Sequence, residues 1–98
     1  MPRLIWTPAA VQGLQRVYLF LAEKDLDAAD QALRIIKRHV NILTEFPNAG
    51  RPQFDMEPEH RELLIPFGGS GYTVLYQHYG DDVLILFIKH QKEAGYAQ

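Results

Sequence analysis

The chain has no cysteine, no apolar run long enough to span a bilayer and no excess of positive charge. The first absence excludes a disulfide framework, a thiolate zinc site and a cysteine nucleophile, and it fits a reducing compartment. The N-terminal MPRLIWTPAA lacks an apolar h-region. With no span and no secretion signal predicted, a cytoplasmic protein is expected. The net charge of −2 gives no global attraction to nucleic acid. The charge is also uneven. Residues 1–50 carry six basic against five acidic side chains, and residues 51–98 carry four against seven. A nucleic-acid site in the second half would have to be a local patch working against its surroundings.

Signatures of metal and cofactor chemistry are missing too. The four histidines, His39, His60, His78 and His90, show no i,i+4 pair and no HExxH frame, so neither a metal nor a cofactor is expected. No Ser-His-Asp order or paired-carboxylate arrangement stands out. The glycines of FGGSG lie between two predicted strands, a hairpin context and not the strand-to-helix context of a phosphate loop.

What is present is an ordinary globular composition, 47% hydrophobic and 22% charged, on 98 residues, which is enough for one small domain over residues 1–98. Residues 2–6, PRLIW, read as a strand. Thr7-Pro8 is a helix start, a capping hydroxyl followed by a proline whose fixed φ suits the first turn. The helix is predicted to run to about Lys24, on Ala10, Leu14, Val17, Tyr18 and Leu21 at helical spacing, with Phe20 widening the apolar face. Asp27 is read as the cap of a second helix, from Ala28 to about Phe46. Ala29, Leu33, Ile36, Val40 and Leu43 form one stripe of that helix, and Ala32, Ile35, His39, Ile42 and Phe46 a second. Two stripes predict a helix that touches both a sheet and the first helix.

Pro47 and Gly50 end the helical pattern, and three strands follow, over residues 60–65, 71–79 and 82–90. Their short links predict an antiparallel meander. VLILFI, apolar on both faces, reads as the central strand and as the neighbour that the first strand would join. The fold class expected is α+β, in the order β-α-α-β-β-β, with a helical hairpin packed on a small, mainly antiparallel sheet.

Among candidate functional residues, His39 reads as a packing residue, and His60 and His78 as solvated ones. Arg51 and Arg61 are possible anion contacts. For Arg51 a structural role, bracing free carbonyls at the helix end, is the simpler reading. Arg61 reads equally as an exposed strand residue. The best local set is the end of the last strand, Lys89, His90, Lys92 and Tyr96: positive charge, a group titrating near neutrality and an aromatic face. Such a set could hold RNA and move a proton at a 2′-hydroxyl. The alternative is a frayed terminus whose tyrosine covers apolar surface.

Several segments together resemble the RelE/ParE superfamily of type II toxin–antitoxin toxins. They are Trp6-Thr7-Pro8, Phe46-Pro47 with Gly50-Arg51-Pro52, Arg61-Glu62-Leu63, Gly71-Tyr72 with Tyr76, and Lys89-His90 with Tyr96. The resemblance implies a toxin of a plasmid-stabilisation or addiction module, neutralised by a cognate antitoxin in a hetero-oligomer. It implies an antitoxin contact on the helical hairpin, with Tyr18, Leu21, Ile35, His39 and Ile42 as the candidate residues. RelE-like members cleave mRNA in the ribosome without a metal, whereas ParE-like members are held to poison DNA gyrase. The RelE-like pattern places an arginine directly after the Gly-Tyr pair, where this chain has Thr73, and it places two basic residues on the preceding strand. Here Arg61 is followed by Glu62 and Leu63. His90 and Tyr96 keep the spacing of the catalytic tail. The expectation is therefore a ParE-like gyrase inhibitor without nuclease activity, in which Arg51, Arg61, Lys89, His90, Lys92 and Tyr96 contact a target. The alternatives are a ribosome-dependent mRNA endoribonuclease using Arg61, His90 and Tyr96, and a non-toxic relative that binds only an antitoxin.

Overall fold

The computed structural model describes residues 2–53 and 55–93, and Tyr96 lies outside the described residues. The elements are β1 (Arg3–Trp6), α1 (Pro8–Ala22), α2 (Leu26–Asn41), a 3-10 turn (Ile42–Thr44), β2 (Arg51–Pro52), β3 (His60–Phe67), β4 (Ser70–Tyr79) and β5 (Asp82–His90). The five strands form one sheet in the order β1-β5-β4-β3-β2. β1 pairs with β5 in parallel, Arg3 opposite Asp82, and every other neighbour is antiparallel. The α+β expectation and the placement of the first strand beside the last both hold.

Thr7 joins the two layers. Its Oγ1 accepts from the Ala10 amide at 3.2 Å and donates to the Ile85 carbonyl at 2.7 Å, so one hydroxyl caps α1 and ties it to β5. The second cap is Asp25 and not Asp27: its carboxylate accepts from the Ala28 amide at 3.2 Å. Asp27 instead sits in the first turn, where negative charge suits the helix dipole. The helix also stops earlier than its periodicity predicts. Thr44 Oγ1 takes the Asn41 carbonyl at 2.8 Å, and the chain tightens into the 3-10 turn.

α2 packs on both α1 and β3, as its two stripes require. Ala29, Ile36, Val40 and Leu43 of the first stripe are buried, while Ile42 and Phe46 of the second are exposed. The helices cover the sheet face that carries Ile65, Tyr72, Val74, Tyr76, Val83, Ile85 and Ile88.

The apolar run of β5 has a specific origin. Tyr76 lies opposite Ile85 and Leu75 opposite Phe87, which leaves Leu86 as an extra residue, a β-bulge. The bulge shifts the alternation by one, so Val83 and Ile85 face the helices before it and Ile88 after it. VLILFI is thus two short alternating patterns joined out of phase. β5 is interior, but the centre of the sheet is β4, buried continuously from residue 71 to 76.

α1 approaches β5 closely enough to require a glycine. A Cβ built on Gly13 would lie 2.7 Å from the Ile88 carbonyl oxygen, which belongs to backbone and cannot swing aside. Gly13→Ala is expected to destabilise the fold by about 1–2 kcal/mol. Overpacking outweighs the helix-propensity gain of alanine. Urea unfolding of the two proteins checks this, and a more stable alanine variant would refute the close contact.

Candidate functional site

An apolar groove of about 680 Å³ opens where α1, the β3–β4 turn and the end of β5 meet. Val17, Phe20 and Leu21 of α1 form one wall, and Phe67 and Tyr72 of the hairpin form the other. The turn between them is Gly68-Gly69, where no side chain fills the lip. The Phe67 and Tyr72 ring centroids lie 5.9 Å apart. Burial pushes the Tyr72 phenol above its ordinary pKa, so the ring is neutral at physiological pH.

The charged corner of the groove is built by Arg16, His90, Lys92 and Glu93. His90 stands edge-on to Tyr72, with centroids 5.4 Å apart. The Lys92 backbone N–H donates to His90 Nδ1 at 3.1 Å. That bond needs a lone pair on Nδ1, so the neutral ring carries its proton on Nε2. Arg16 reaches Glu93 at 3.0 Å. Partial burial opposes ionisation of Glu93. The His90 amide, Arg16 and Lys89 outweigh it and hold the carboxyl below its usual range.

The basic residues singled out in the sequence do not converge. Cross-strand pairing puts Arg61 opposite Tyr76 and His90 opposite Tyr72. They stand four residues apart along β4, roughly 13 Å, and two strands apart across the sheet. Arg61 Nη1 donates to the Gly50 carbonyl at 2.6 Å and to the Asn48 carbonyl at 3.2 Å. The carbonyl-bracing role expected of Arg51 thus belongs to Arg61. Arg51 instead pairs with Glu62 at 2.8 Å across β2 and β3, a two-residue strand too short to leave a periodic signal in the sequence. Lys89 lies opposite Thr73 and Thr73 opposite Leu64, on the sheet face away from His90. Thr73 is only 4% exposed.

The residues proposed for the helical hairpin also separate. Leu21 borders the groove. Tyr18 donates to Asp30 at 3.2 Å and links the two helices, Ile35 packs against the core, and His39 Nδ1 lies 2.9 Å from the Ile35 carbonyl of its own helix. Ile42 is 42% exposed on the second stripe. His60 departs from the solvated reading, whereas His78 stays partly open to water. His78 Nδ1 meets Asn48 Oδ1 at 3.1 Å, and His60 is largely buried, with Glu57 3.7 Å from its Nδ1. Sequence reasoning missed Arg16, Phe67 and Glu93. Nothing in their spacing marks them, because they come from three elements joined only by the fold. Among the described residues, no group of three or more His, Asp or Glu could hold a metal, and no helix is long and apolar enough to cross a membrane.

Comparison with known proteins covers nearly the whole chain. The family described as ParE toxin of type II toxin-antitoxin system, parDE, matches residues 4–95. Toxin RelE1 of Caulobacter vibrioides is 33% identical over 84 residues, 86% of this chain and 87% of the relative. Toxin RelE3 of the same organism is 31% identical over 86 residues, 88% and 90% of the two chains. Among solved structures, a chain from the chromosomal ParDE TA system of P. aeruginosa superposes with a TM-score of 0.73 at 22% identity. It covers 92% of this chain and 96% of that one, and at this identity the likeness is one of fold.

Proposed function

The chain belongs to the ParE toxin family of type II toxin–antitoxin systems, and from that membership we propose that it is a gyrase-type poison and not a nuclease. A cognate antitoxin is its partner, and the groove between α1 and the β3–β4 hairpin is the surface the antitoxin fills. Its apolar walls suit an amphipathic segment laid into a cleft.

The observation that carries the non-nuclease reading is the dispersal of the positive charge into structural bonds. Cleaving RNA without a metal needs cationic and proton-moving groups aimed at one phosphate. Arg51 is bound to Glu62, Arg61 to loop carbonyls and Arg16 to Glu93. Arg61 and His90 are too far apart to serve the same phosphate. Lys89, Lys92 and Arg51 then serve as contacts to a protein target.

Pulse-labelling of DNA and protein synthesis after induction of the chain alone tests this. DNA synthesis is expected to fall first, with translation intact, and His90→Ala is expected to arrest growth within about twofold of the natural chain. A catalytic His90 would instead cost about 10²–10³ in rate. The names of the two Caulobacter relatives favour, as a second reading, a ribosome-dependent mRNA endonuclease. Under it translation falls first and His90→Ala is harmless to the cell. No effect on either synthesis would leave a non-toxic antitoxin-binding relative.

A further inference from the structure

Glu93 closes a small knot at the corner of the groove. Its carboxylate accepts the His90 amide at 2.8 Å and Arg16 Nη2 at 3.0 and 3.3 Å, and its backbone carbonyl accepts Lys89 Nζ at 3.0 Å. Arg16 Nη2 also lies 3.3 Å from the Ile88 carbonyl. One carboxylate therefore holds the His90–Glu93 turn, and with it the ring of His90, to α1.

Two features make this arrangement exchangeable. The ion pair is half in water, its side chains 55% and 42% exposed, and such pairs are weakly held. Among the described residues, every contact of Arg16 uses Nη2, which leaves the rest of the planar guanidinium to receive a second carboxylate. The Ile88 carbonyl keeps Arg16 in place while its partner changes.

The charge of the corner selects the occupant. Arg16 and Lys92 stand against one acid, Glu93, which is already engaged. An uncharged apolar segment would strip water from the guanidinium edge that Glu93 does not reach and give nothing in return, and a cationic one would be repelled. We infer that the antitoxin segment filling the groove carries a carboxylate that takes Arg16 from Glu93, releasing the His90–Glu93 turn. The inference rests on the groove being the neutralisation surface. Occupancy of the groove and the state of the turn are then coupled, because the same guanidinium serves both.

The test is the affinity of the cognate antitoxin for the full chain, measured by calorimetry on Glu93→Gln, Arg16→Gln and the double variant. Exchange requires Glu93→Gln to bind about two- to fivefold tighter, since Arg16 is no longer held. Arg16→Gln should bind about tenfold weaker, and the double variant should match it. The ¹⁵N shifts of the His90 ring should move on antitoxin binding, and in free Glu93→Gln they should already be displaced. Unchanged or weaker binding by Glu93→Gln overturns the exchange. Phe20→Asp reports separately on the groove. If it leaves affinity intact, the antitoxin sits elsewhere and the underlying reading fails. If it abolishes binding while Glu93→Gln is neutral, the groove stands and the exchange fails.

Discussion

Tyr76→Ala is expected to lower the unfolding free energy by about 3–5 kcal/mol, the range for deleting a large aromatic side chain from a core. Tyr76 is wholly buried, and its hydroxyl does two further things. It donates to the Pro47 carbonyl at 2.7 Å and accepts the Gly50 amide at 2.9 Å. The ring lies so close to Gly50 that a Cβ there would stand 2.7 Å from Cε1. With Arg61 on the Asn48 and Gly50 carbonyls, two side chains satisfy the backbone groups of the loop that leads from α2 back to the sheet. Tyr76→Phe separates the roles, because it keeps the ring and orphans one amide and one carbonyl. It should cost about 1–3 kcal/mol. A domain of this size has roughly 5–15 kcal/mol in all. The alanine variant should therefore melt roughly 15–30 °C lower by circular dichroism. Tyr79→Ala, at an exposed tyrosine two strand positions from the carboxyl-terminal side of Tyr76's neighbour Gln77, should stay within about 0.5 kcal/mol. A neutral Tyr76→Phe would refute the loop-clasp account.

Phe20→Asp is expected to weaken the cognate antitoxin about 100-fold while leaving the unfolding curve nearly unchanged. Phe20 is 58% exposed, so folding leaves most of its ring available, and it stands on the wall of the groove. Aromatic anchors seated in such clefts carry a disproportionate share of binding energy, and a factor of 100 corresponds to about 2.7 kcal/mol. The aspartate also brings negative charge to a groove whose occupant is acidic. Among the described residues, the ring contact that the substitution removes is the one with Lys24, 4.4 Å from its centroid, an exposed contact of small value. Ile42→Asp is the informative comparison. The resemblance puts Ile42, on the second stripe of the hairpin, in the antitoxin surface, whereas the cavity does not border it. If Ile42→Asp is the damaging change and Phe20→Asp is silent, the partner lies along the helical hairpin and the groove assignment fails.

These two residues show how far the sequence could be read. Tyr76 falls inside the strand predicted over residues 71–79, and what encloses it is the burial of both faces of β4 from residue 71 to 76, not an alternating pattern. That it also caps a loop 29 positions earlier could not be read, because side chain–to–backbone bonds across that distance leave no periodic trace. Phe20 was legible as apolar, but its exposure was not. Whether a residue beside the main stripe meets the core or water depends on where the glycine turn at Gly68-Gly69 and the end of β5 come to rest. The bulge at Leu86 has the same character: the run VLILFI reads as one interior strand, and only pairing with β4 shows where its phase changes. The cationic end of β5 was visible as a cluster of residue types. Its division between the two faces of the sheet, Lys89 on one and His90 on the other, is a matter of register. Tyr96, the remaining member of that cluster, lies outside the described residues.

The parallel pairing of β1 with β5 has a consequence in time. Arg3 and Asp82 are 79 positions apart, and β5 is the strand that separates β1 from the rest of the sheet. At translation rates of about 5–20 residues per second, the first strand waits roughly 4–16 s for its partner to be made. Until then α1 lacks the backbone that Gly13 lies against, Thr7 lacks its carbonyl, and the corner of the groove built by His90, Lys92 and Glu93 is missing. A growing chain therefore cannot present the finished surface to a target or to an antitoxin. Harm and its restraint both become available only once β5 has been made and inserted between β1 and β4.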